Sequence, residues 1–404
     1  MTAIRQGHVT GALLGVLWMA VVAVTVAVAM SFATGAGFRP GLIGSLIAGL
    51  VSGLAPLYLP NRWAVSGLML VLVAVLSFAG VGPVLIGSGA GAVAVVVSLV
   101  VTALAAGIGL CAILSGVRPG PLTRHVFEAA VIRFLTGFGY IFFTAIVIIP
   151  FYVMVMTSLK SQQALLQNPL DFSLDLGRGV DLFRSYIELF RDFNFGTYLW
   201  TSFYVSVLTV IITLAFSIPG AYAVARLRFR GAKAFSRGIL LIYMVPMIVL
   251  ALPIYIGFSM AGLRNTIFGI VIIYPVTTIP VGLYMLQGYF RGLPAEVEEA
   301  GLMDGLSRLA VIWKITLPLA LPALASVSLY VFMIAWNEFL LAFMLLDDPS
   351  KFTLTRGVTM LNSSEIPRQH LMAGAVIATL PIMVIFLGLE RFMTKGLTAG
   401  SVKG

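Results

Sequence analysis

A tryptophan, an amide and a carboxylate stand side by side inside an apolar run, as Trp336, Asn337 and Glu338. Placing a carboxylate in hydrocarbon costs about 3 kcal/mol on insertion scales, so Glu338 should face protein or water. Sugars favour an aromatic face next to hydrogen-bonding groups, and we therefore predict these three residues as candidate pathway contacts for a polar solute. The alternative is that Glu338 pairs with a neighbouring helix while Asn337 bonds to backbone groups.

Residue sets for hydrolysis or nucleotide binding are missing from the sequence. His8, His125 and His370 lie far apart, and neither H-E-x-x-H nor G-x-x-x-x-G-K-[ST] occurs. An intramembrane enzyme is therefore disfavoured, and we predict no catalytic residues, no metal site and no cofactor. An ion-coupled secondary transporter is the less favoured alternative, because it needs several buried ionisable groups and Glu338 is the one acid clearly within an apolar run.

The charged segment 291–322 lies between two long apolar runs and should therefore face water beside a membrane. Pro294 suits the first turn of a helix, and the acids that follow it favour the positive end of that helix. Gly305 should end the helix, and Ser307 should cap a second, interfacial helix that closes at Pro318. The segment predicts a helix, a glycine turn and an interfacial helix. Together they would form a surface projection that a partner protein could bind.

This segment resembles the loop that defines ABC importer permeases, in which EAA precedes a glycine by three residues and I-x-L-P follows nine residues later. One departure is Gly301 in the third position, normally alanine, which weakens the helix by about 1 kcal/mol. The resemblance implies that the loop docks on a separate ATPase. The residues that it assigns to this coupling contact are Glu298, Glu299, Ala300, Gly301, Asp304, Gly305, Ile315, Leu317 and Pro318.

Composition places the chain in a membrane independently of this motif. Of its 404 residues 60% are hydrophobic and 10% are charged, against roughly 25% charged in a soluble domain. The net charge of +10 lies in short loops between apolar runs, which favours membrane orientation over nucleic-acid binding. Cys111 is the single cysteine, so no intrachain disulfide can form. The predicted fold class is an all-α polytopic membrane protein.

About ten apolar runs approach the ~20 residues that a bilayer core requires. They lie at about 11–33, 42–59, twice within 63–117 around a turn at 80–91, and at 135–158, 198–225, 239–260, 267–289, 319–346 and 371–389. The first run is too long for the core of a signal peptide and should be retained. A cluster of Arg and Lys after residue 225 marks the cytoplasm, and an even number of spans returns both termini to that side.

The basic stretch after the fourth span is the predicted domain boundary. We predict a four-span extension at 1–117, an amphipathic cytoplasmic linker at 118–135 and a six-span permease domain at 136–404 with its coupling loop at 291–318. Glycine patterns at 11–15 and 49–53 predict closely packed helices within the extension. Residues from about 136 onward resemble the smaller permease of maltose-type sugar importers, whereas the extension lies outside that six-span pattern and is expected to pack on the permease.

This resemblance implies an assembly in the bacterial inner membrane. Its other members would be a second homologous permease, a homodimeric subunit that binds ATP and magnesium, and an extracytoplasmic solute-binding protein. The implied substrate is a maltose-type oligosaccharide, with another sugar or a polyol as the alternative, and membrane lipid surrounds the chain. The basic tail 395–404 is implied to reach between the two ATPase subunits, and the alternative is a frayed terminus.

The polar loop 347–370 is implied to dock on the binding protein. Its candidate contacts are Asn362, Ser363 and Ser364, and the alternating residues of 353–360 predict an extended segment. The alternative is a solvated connector.

Overall fold

The computed structural model describes residues 3–59, 61–168, 171–363 and 366–398, and it divides into two compact units, Met1–Leu182 and Phe183–Gly404. Most of the described backbone is helical, which confirms the predicted all-α polytopic class. Ser364 and the last part of the predicted tail, 399–404, lie outside the described residues.

The first unit begins with a pair of tightly packed helices. Its elements are α1 (Gly7–Thr34), β1 (Phe38–Pro40), α2 (Leu42–Tyr58), α3 (Arg62–Phe78), β2 (Val84–Ile86), α4 (Ala92–Ile113), α5 (Arg124–Ser158) and α6 (Gln162–Gln167). A Cβ atom on Gly15 would collide with the Gly49 carbonyl, and one on Gly53 would collide with the Gly11 carbonyl. Only glycine permits this approach of α1 to α2, and the predicted close packing is confirmed.

A small antiparallel sheet closes one end of the first unit. In it β1 pairs with β2 so that Phe38 faces Ile86. The predicted turn between α3 and α4 is present and holds β2, but the strands themselves were not predicted. Strands of three residues are too short to show an alternating pattern in the sequence.

The long helix α5 covers both a predicted span and most of the predicted linker that precedes it. Thr123 caps its start by accepting a bond from the Val126 N–H, and the helix then continues through residue 135 without a break. At about 1.5 Å per residue its 35 residues extend over roughly 50 Å, more than a hydrocarbon core of about 30 Å. The first turns are therefore a helical continuation of the span rather than a separate linker helix. The compact units divide after Leu182, and the division at 118–135 stays a prediction.

The second unit holds the remaining helices. They are α7 (Arg184–Asp192), α8 (Phe195–Arg226), α9 (Ala232–Tyr243), α10 (Met247–Met260), α11 (Ile267–Gly292), α12 (Ala295–Met303), α13 (Arg308–Val311), α14 (Leu317–Leu319), α15 (Leu321–Asn337), α16 (Leu340–Leu345), α17 (Leu354–Met360) and α18 (Arg368–Thr398). A π-helical turn, Ile312–Thr316, joins α13 to α14.

Helices α8 and α11 form the centre of this unit through small and hydroxyl side chains. The hydroxyl oxygens of Thr213 and Thr278 lie 2.6 Å apart, and a Cβ atom on Gly282 would come within 2.9 Å of the Ser217 hydroxyl. Small residues allow close backbone approach, and paired hydroxyls satisfy each other where water is absent.

Two of the predicted spans do not form single helices, and whether each run crosses the membrane stays a prediction. The run 239–260 divides into α9 and α10 just before residue 247, because Pro246 has no N–H to continue a helix. The run 319–346 divides after Asn337, where Glu338 caps the next helix with its side chain. The helical segment Arg308–Leu319 also meets Leu321–Asn337 at a bend of 78°.

Length and composition identify six helices of the described residues that could each cross a membrane, or seven if the bent segment counts as one span. These six are α1, α4, α5, α8, α11 and α18. The apolar helices α2, α3 and α10 have 14 to 17 residues and fall below the expected length. The predicted total of about ten spans stays a prediction.

Candidate coupling site

The segment 291–322 folds as the sequence predicts. Helix α12 starts after Pro294 with two acids in its first turn, and Ser307 caps α13 by accepting a bond from the Ala310 N–H. Gly305 separates the two helices with φ +83°, a left-handed conformation that favours glycine. The resulting helix, turn and second helix form a projection from the bundle, here called the coupling loop (residues 291–318).

The outer surface of the coupling loop is exposed and mixes acids with large apolar residues. Exposed fractions reach 87% at Met303 and 71% at both Leu309 and Trp313. Among the predicted contacts, the exposed residues are Glu299, Ala300, Asp304, Gly305 and Pro318. Apolar side chains exposed next to charged ones are typical of an interaction surface.

The two halves of the predicted motif meet at Gly301, which is buried. A Cβ atom on Gly301 would lie 2.5 Å from the Ile315 Cδ1 atom, and the Gly301 carbonyl accepts a bond from the Leu306 N–H. The small residue in the third position therefore lets α12 pack on the π-helical turn. Ile315 and Leu317 are partly buried, so they support the loop rather than form its exposed surface.

Glu298 fixes the coupling loop to the rest of the unit. Its carboxylate accepts hydrogen bonds from the Tyr222 hydroxyl at 3.2 Å and from the Thr316 hydroxyl at 3.0 Å. The Arg226 Nε atom lies 3.5 Å from the same carboxylate, and its Nη2 atom donates to the Leu293 carbonyl at 2.7 Å. Both charged side chains are largely buried, with 9% of Glu298 and 14% of Arg226 exposed. We call Tyr222, Arg226, Glu298 and Thr316 the clamp.

Three of the four clamp residues were not identified from the sequence. Tyr222 and Arg226 lie four residues apart and therefore on one face at the end of α8, a signal that could have been read. Arg226 was interpreted only as one member of the basic cluster. The pairing with Glu298 joins positions 76 residues apart in the chain, and no local pattern indicates it.

The three candidate pathway residues each make a different contact. Trp336 is buried and donates from Nε1 to the Ala378 carbonyl on α18, whereas the Asn337 amide bonds to the Met333 carbonyl of its own helix. Glu338 accepts bonds from the N–H groups of Leu341 and Ala342 at the start of α16. The Asn337 geometry matches the alternative of backbone bonding, and a pathway role for the three residues stays a prediction.

The polar loop 347–370 is more ordered than predicted. The expectation of an extended segment at 353–360 was wrong, because residues 354–360 form α17. The Leu354 N–H donates to the Ser202 hydroxyl at 2.7 Å, and Gly357 fits against the Tyr198 ring, where a Cβ atom would collide. These contacts hold α17 on α8 and leave Asn362 and Ser363 exposed beyond it.

A second attachment at this end of the unit joins α7 to α18. The His370 Nε2 atom lies 2.7 Å from a Glu188 carboxylate oxygen, and the other oxygen accepts a bond from Arg184 at 2.7 Å. The Arg184 bond, opposed in part by burial and assisted by His370, lowers the pKa of Glu188 below its ordinary value. No local pattern in the sequence indicates this pair, whose members lie 182 residues apart.

The sequence of this chain is similar to those of known transport proteins. Residues 216–398 match the model of the binding-protein-dependent transport system inner membrane component. The chain is 37% identical to the inner membrane ABC transporter permease protein YcjP of Escherichia coli over 66% of this chain and 95% of that relative. It is 32% identical to the trehalose/maltose transport system permease protein MalG of Thermococcus litoralis, over 69% of this chain and 99% of that protein.

The fold agrees with these sequence matches. A chain in the crystal structure of a bacterial ABC transporter involved in the import of the acidic polysaccharide alginate superposes with a TM-score of 0.57 at 24% identity, over 67% of this chain and 98% of that one. The chain is therefore a member of the family of binding-protein-dependent transport system inner membrane components, the permease subunits of ABC importers.

Proposed function

We propose that this permease imports a carbohydrate and that its coupling loop docks on a separate ATPase. The observation that carries the proposal is the clamp: a buried Glu298 ties an exposed helix and turn to the end of α8. A loosely attached loop would move without moving the helices behind it. The buried pair of Glu298 and Arg226 resists such movement, because it is hydrogen-bonded to the Tyr222 and Thr316 hydroxyls and to the Leu293 carbonyl.

The proposed assembly contains two permeases, two copies of the ATPase and an extracytoplasmic solute-binding protein. ATP and magnesium would be bound by the ATPase, since the sequence contains no P-loop. Both termini and the coupling loop would lie in the cytoplasm, as the distribution of basic residues favours. On this orientation α17 and the exposed Asn362 and Ser363 face the binding protein.

A carbohydrate substrate is supported by the relative named for trehalose and maltose transport. A maltose-type oligosaccharide is the narrower form of the proposal, and another sugar or a polyol is its alternative. The polar groups of Trp336 and Asn337 bond to backbone carbonyls and do not converge on a common site. The support for a carbohydrate substrate therefore comes from the relatives and not from these residues.

Crosslinking in the purified complex tests the docking. With Cys111 replaced by serine, a cysteine at the exposed Ala300 should crosslink to the ATPase, and a cysteine at Ala261, beyond the opposite end of α11, should not. Subunits that copurify are identified by mass spectrometry, and ATP hydrolysis is measured with loaded binding protein and a panel of sugars. Free labelling of residue 300 in the assembled, active complex would show that α12 does not dock.

A further inference from the structure

Five arginines lie at one end of the first unit. The N–H of Gly7 donates to the Gly120 carbonyl and the N–H of Leu122 donates to the Arg5 carbonyl, both at 2.7 Å, so the start of α1 meets the segment after α4. The Tyr58 ring stacks on His8 with centroids 5.9 Å apart, which brings the end of α2 to the same place. The basic end, as we call it, comprises Arg5, Arg62, Arg118, Arg124 and Arg133.

Acidic groups do not balance these arginines. Glu128 is the single acid between Met1 and Leu170 in the sequence, and it is bound to Arg124 at 2.6 Å. Arg133 donates to the Ser115 carbonyl. Among the described residues, no ion pair involves Arg5, Arg62 or Arg118, and the last two are exposed.

The opposite end of the same unit is balanced in charge. It carries Arg39, Lys160 and Arg178 together with Asp171, Asp175 and Asp181. Lys160 lies 2.8 Å from Asp171, and Arg178 donates to the Leu159 carbonyl at 3.0 Å. A general excess of basic residues in the unit does not account for this contrast between its two ends.

We propose that the basic end binds the headgroups of anionic phospholipids. Arginine presents a planar set of donors that matches phosphate oxygens, and within the described residues the guanidinium groups of Arg5, Arg62 and Arg118 form no ion pair. Arg62 also stacks over the Trp63 ring at 5.4 Å, and Trp63 and Tyr58 are 59% and 64% exposed, as aromatic residues are at a membrane interface.

The neighbouring helix surface selects a lipid over a soluble anion. Leu13 on α1 is 50% exposed and Leu68 on α3 is 42% exposed, each within two turns of the basic end. A ligand with a phosphate and acyl chains can contact the arginines and these apolar side chains together. The inference depends on the chain lying in a membrane and on neither the substrate nor the coupling loop.

Lipid retention by the full-length chain tests this proposal. The protein is placed in nanodiscs with equal amounts of phosphatidylglycerol and phosphatidylcholine, and the lipids that stay bound on release are counted by native mass spectrometry. We expect phosphatidylglycerol to be enriched on the natural chain. Arg62→Gln should reduce that enrichment by on the order of fivefold, and the triple variant with Arg5→Gln and Arg118→Gln should reduce it further.

Matched variants make the result specific. Arg39→Gln removes one exposed arginine from the opposite end and should leave the enrichment unchanged, and Arg62→Lys should retain most of it. Equal retention of the two lipids by the natural chain, or an equal loss in Arg39→Gln and Arg62→Gln, would overturn the proposal. If the triple variant does not insert, the single Arg62 and Arg39 variants decide the outcome. ATP hydrolysis is not a readout, so a negative result leaves the proposed function untouched.

Discussion

The Tyr222 hydroxyl donates a hydrogen bond to the Glu298 carboxylate across 3.2 Å, and this bond joins the end of α8 to the first turn of α12. Arg226, one turn further along α8, approaches the same carboxylate and also holds the Leu293 carbonyl before α12. Two residues of α8 therefore bind both the segment that precedes α12 and the first turn of α12. On the proposed docking, these contacts would transmit a displacement of α12 to α8.

Loss of the clamp should reduce coupling more than ATP hydrolysis. A hydrogen bond to a charged group contributes about 1.5–3 kcal/mol, so Tyr222→Phe and Glu298→Gln should each lower sugar transported per ATP hydrolysed by about tenfold. The ratio is measured in proteoliposomes with the complete complex. Tyr284→Phe on the exposed side of α11 is the control. A normal ratio in Glu298→Gln would remove the clamp from the mechanism.

The turn at Gly305 should tolerate asparagine and resist proline. Proline holds φ near −65°, whereas Gly305 has φ +83°, so Gly305→Pro should redirect α13 and uncouple hydrolysis from transport with normal membrane insertion. Gly305→Ala should cost about 1–2 kcal/mol in the stability of the turn. Gly292→Ala, at a position with open space around its Cβ, is the matched control. Full transport by Gly305→Pro would contradict the docking geometry.

The packing at Gly301 predicts a size limit at that position. The nearest atom to an added Cβ is the flexible end of Ile315, so Gly301→Ala should be accepted and gain up to about 1 kcal/mol of helix stability. Gly301→Leu should separate α12 from the π-helical turn and lower the thermal midpoint of the complex. The double variant with Ile315→Ala should recover part of that loss, and an absence of recovery would show that the two residues are not coupled.

Acid should weaken the attachment of α7 to α18. The lowered pKa of Glu188 stabilises the folded chain at pH values above the ordinary carboxyl pKa of 4.5, and this contribution is lost as the pH falls through the lower folded value. The protection of α7 amides against hydrogen exchange, corrected for the intrinsic rate at each pH, should therefore fall below pH 4.5. Glu188→Gln should show the faster exchange already at neutral pH and a flatter dependence. Identical pH profiles for the two proteins would exclude this attachment as the cause.

The part of the polar loop 347–370 that follows α17 should be needed for stimulation by the binding protein. Deletion of residues 360–365 removes the exposed Asn362 and Ser363, and we expect it to lower ATP hydrolysis stimulated by loaded binding protein while basal hydrolysis is unchanged. Deletion of residues 88–90 in the turn between α3 and α4 controls for a shortened surface loop. Unchanged stimulation and uptake would leave the segment as a connector.

Patterns that repeat within a few residues could be interpreted from the sequence. The glycine at 305, the cap at Ser307 and the glycine patterns of α1 and α2 act on their immediate neighbourhood, and each has the predicted conformation or contact. Apolar length identified the membrane class, because a bilayer imposes a minimum length on each spanning helix. The family motif around Gly301 was visible for the same reason, since its residues lie on one continuous loop.

Contacts between distant parts of the chain were decided by tertiary structure alone. Three of these contacts join residues from different helices: the bond from Tyr222 to Glu298, the pair of His370 with Glu188, and the packing of Gly357 against the Tyr198 ring. The breaks before residue 247 and after Asn337 also escaped prediction, because hydropathy measures composition and is insensitive to where a helix is interrupted. Local sequence thus determined the elements and the class of protein, and packing determined which side chains hold the coupling loop to α8.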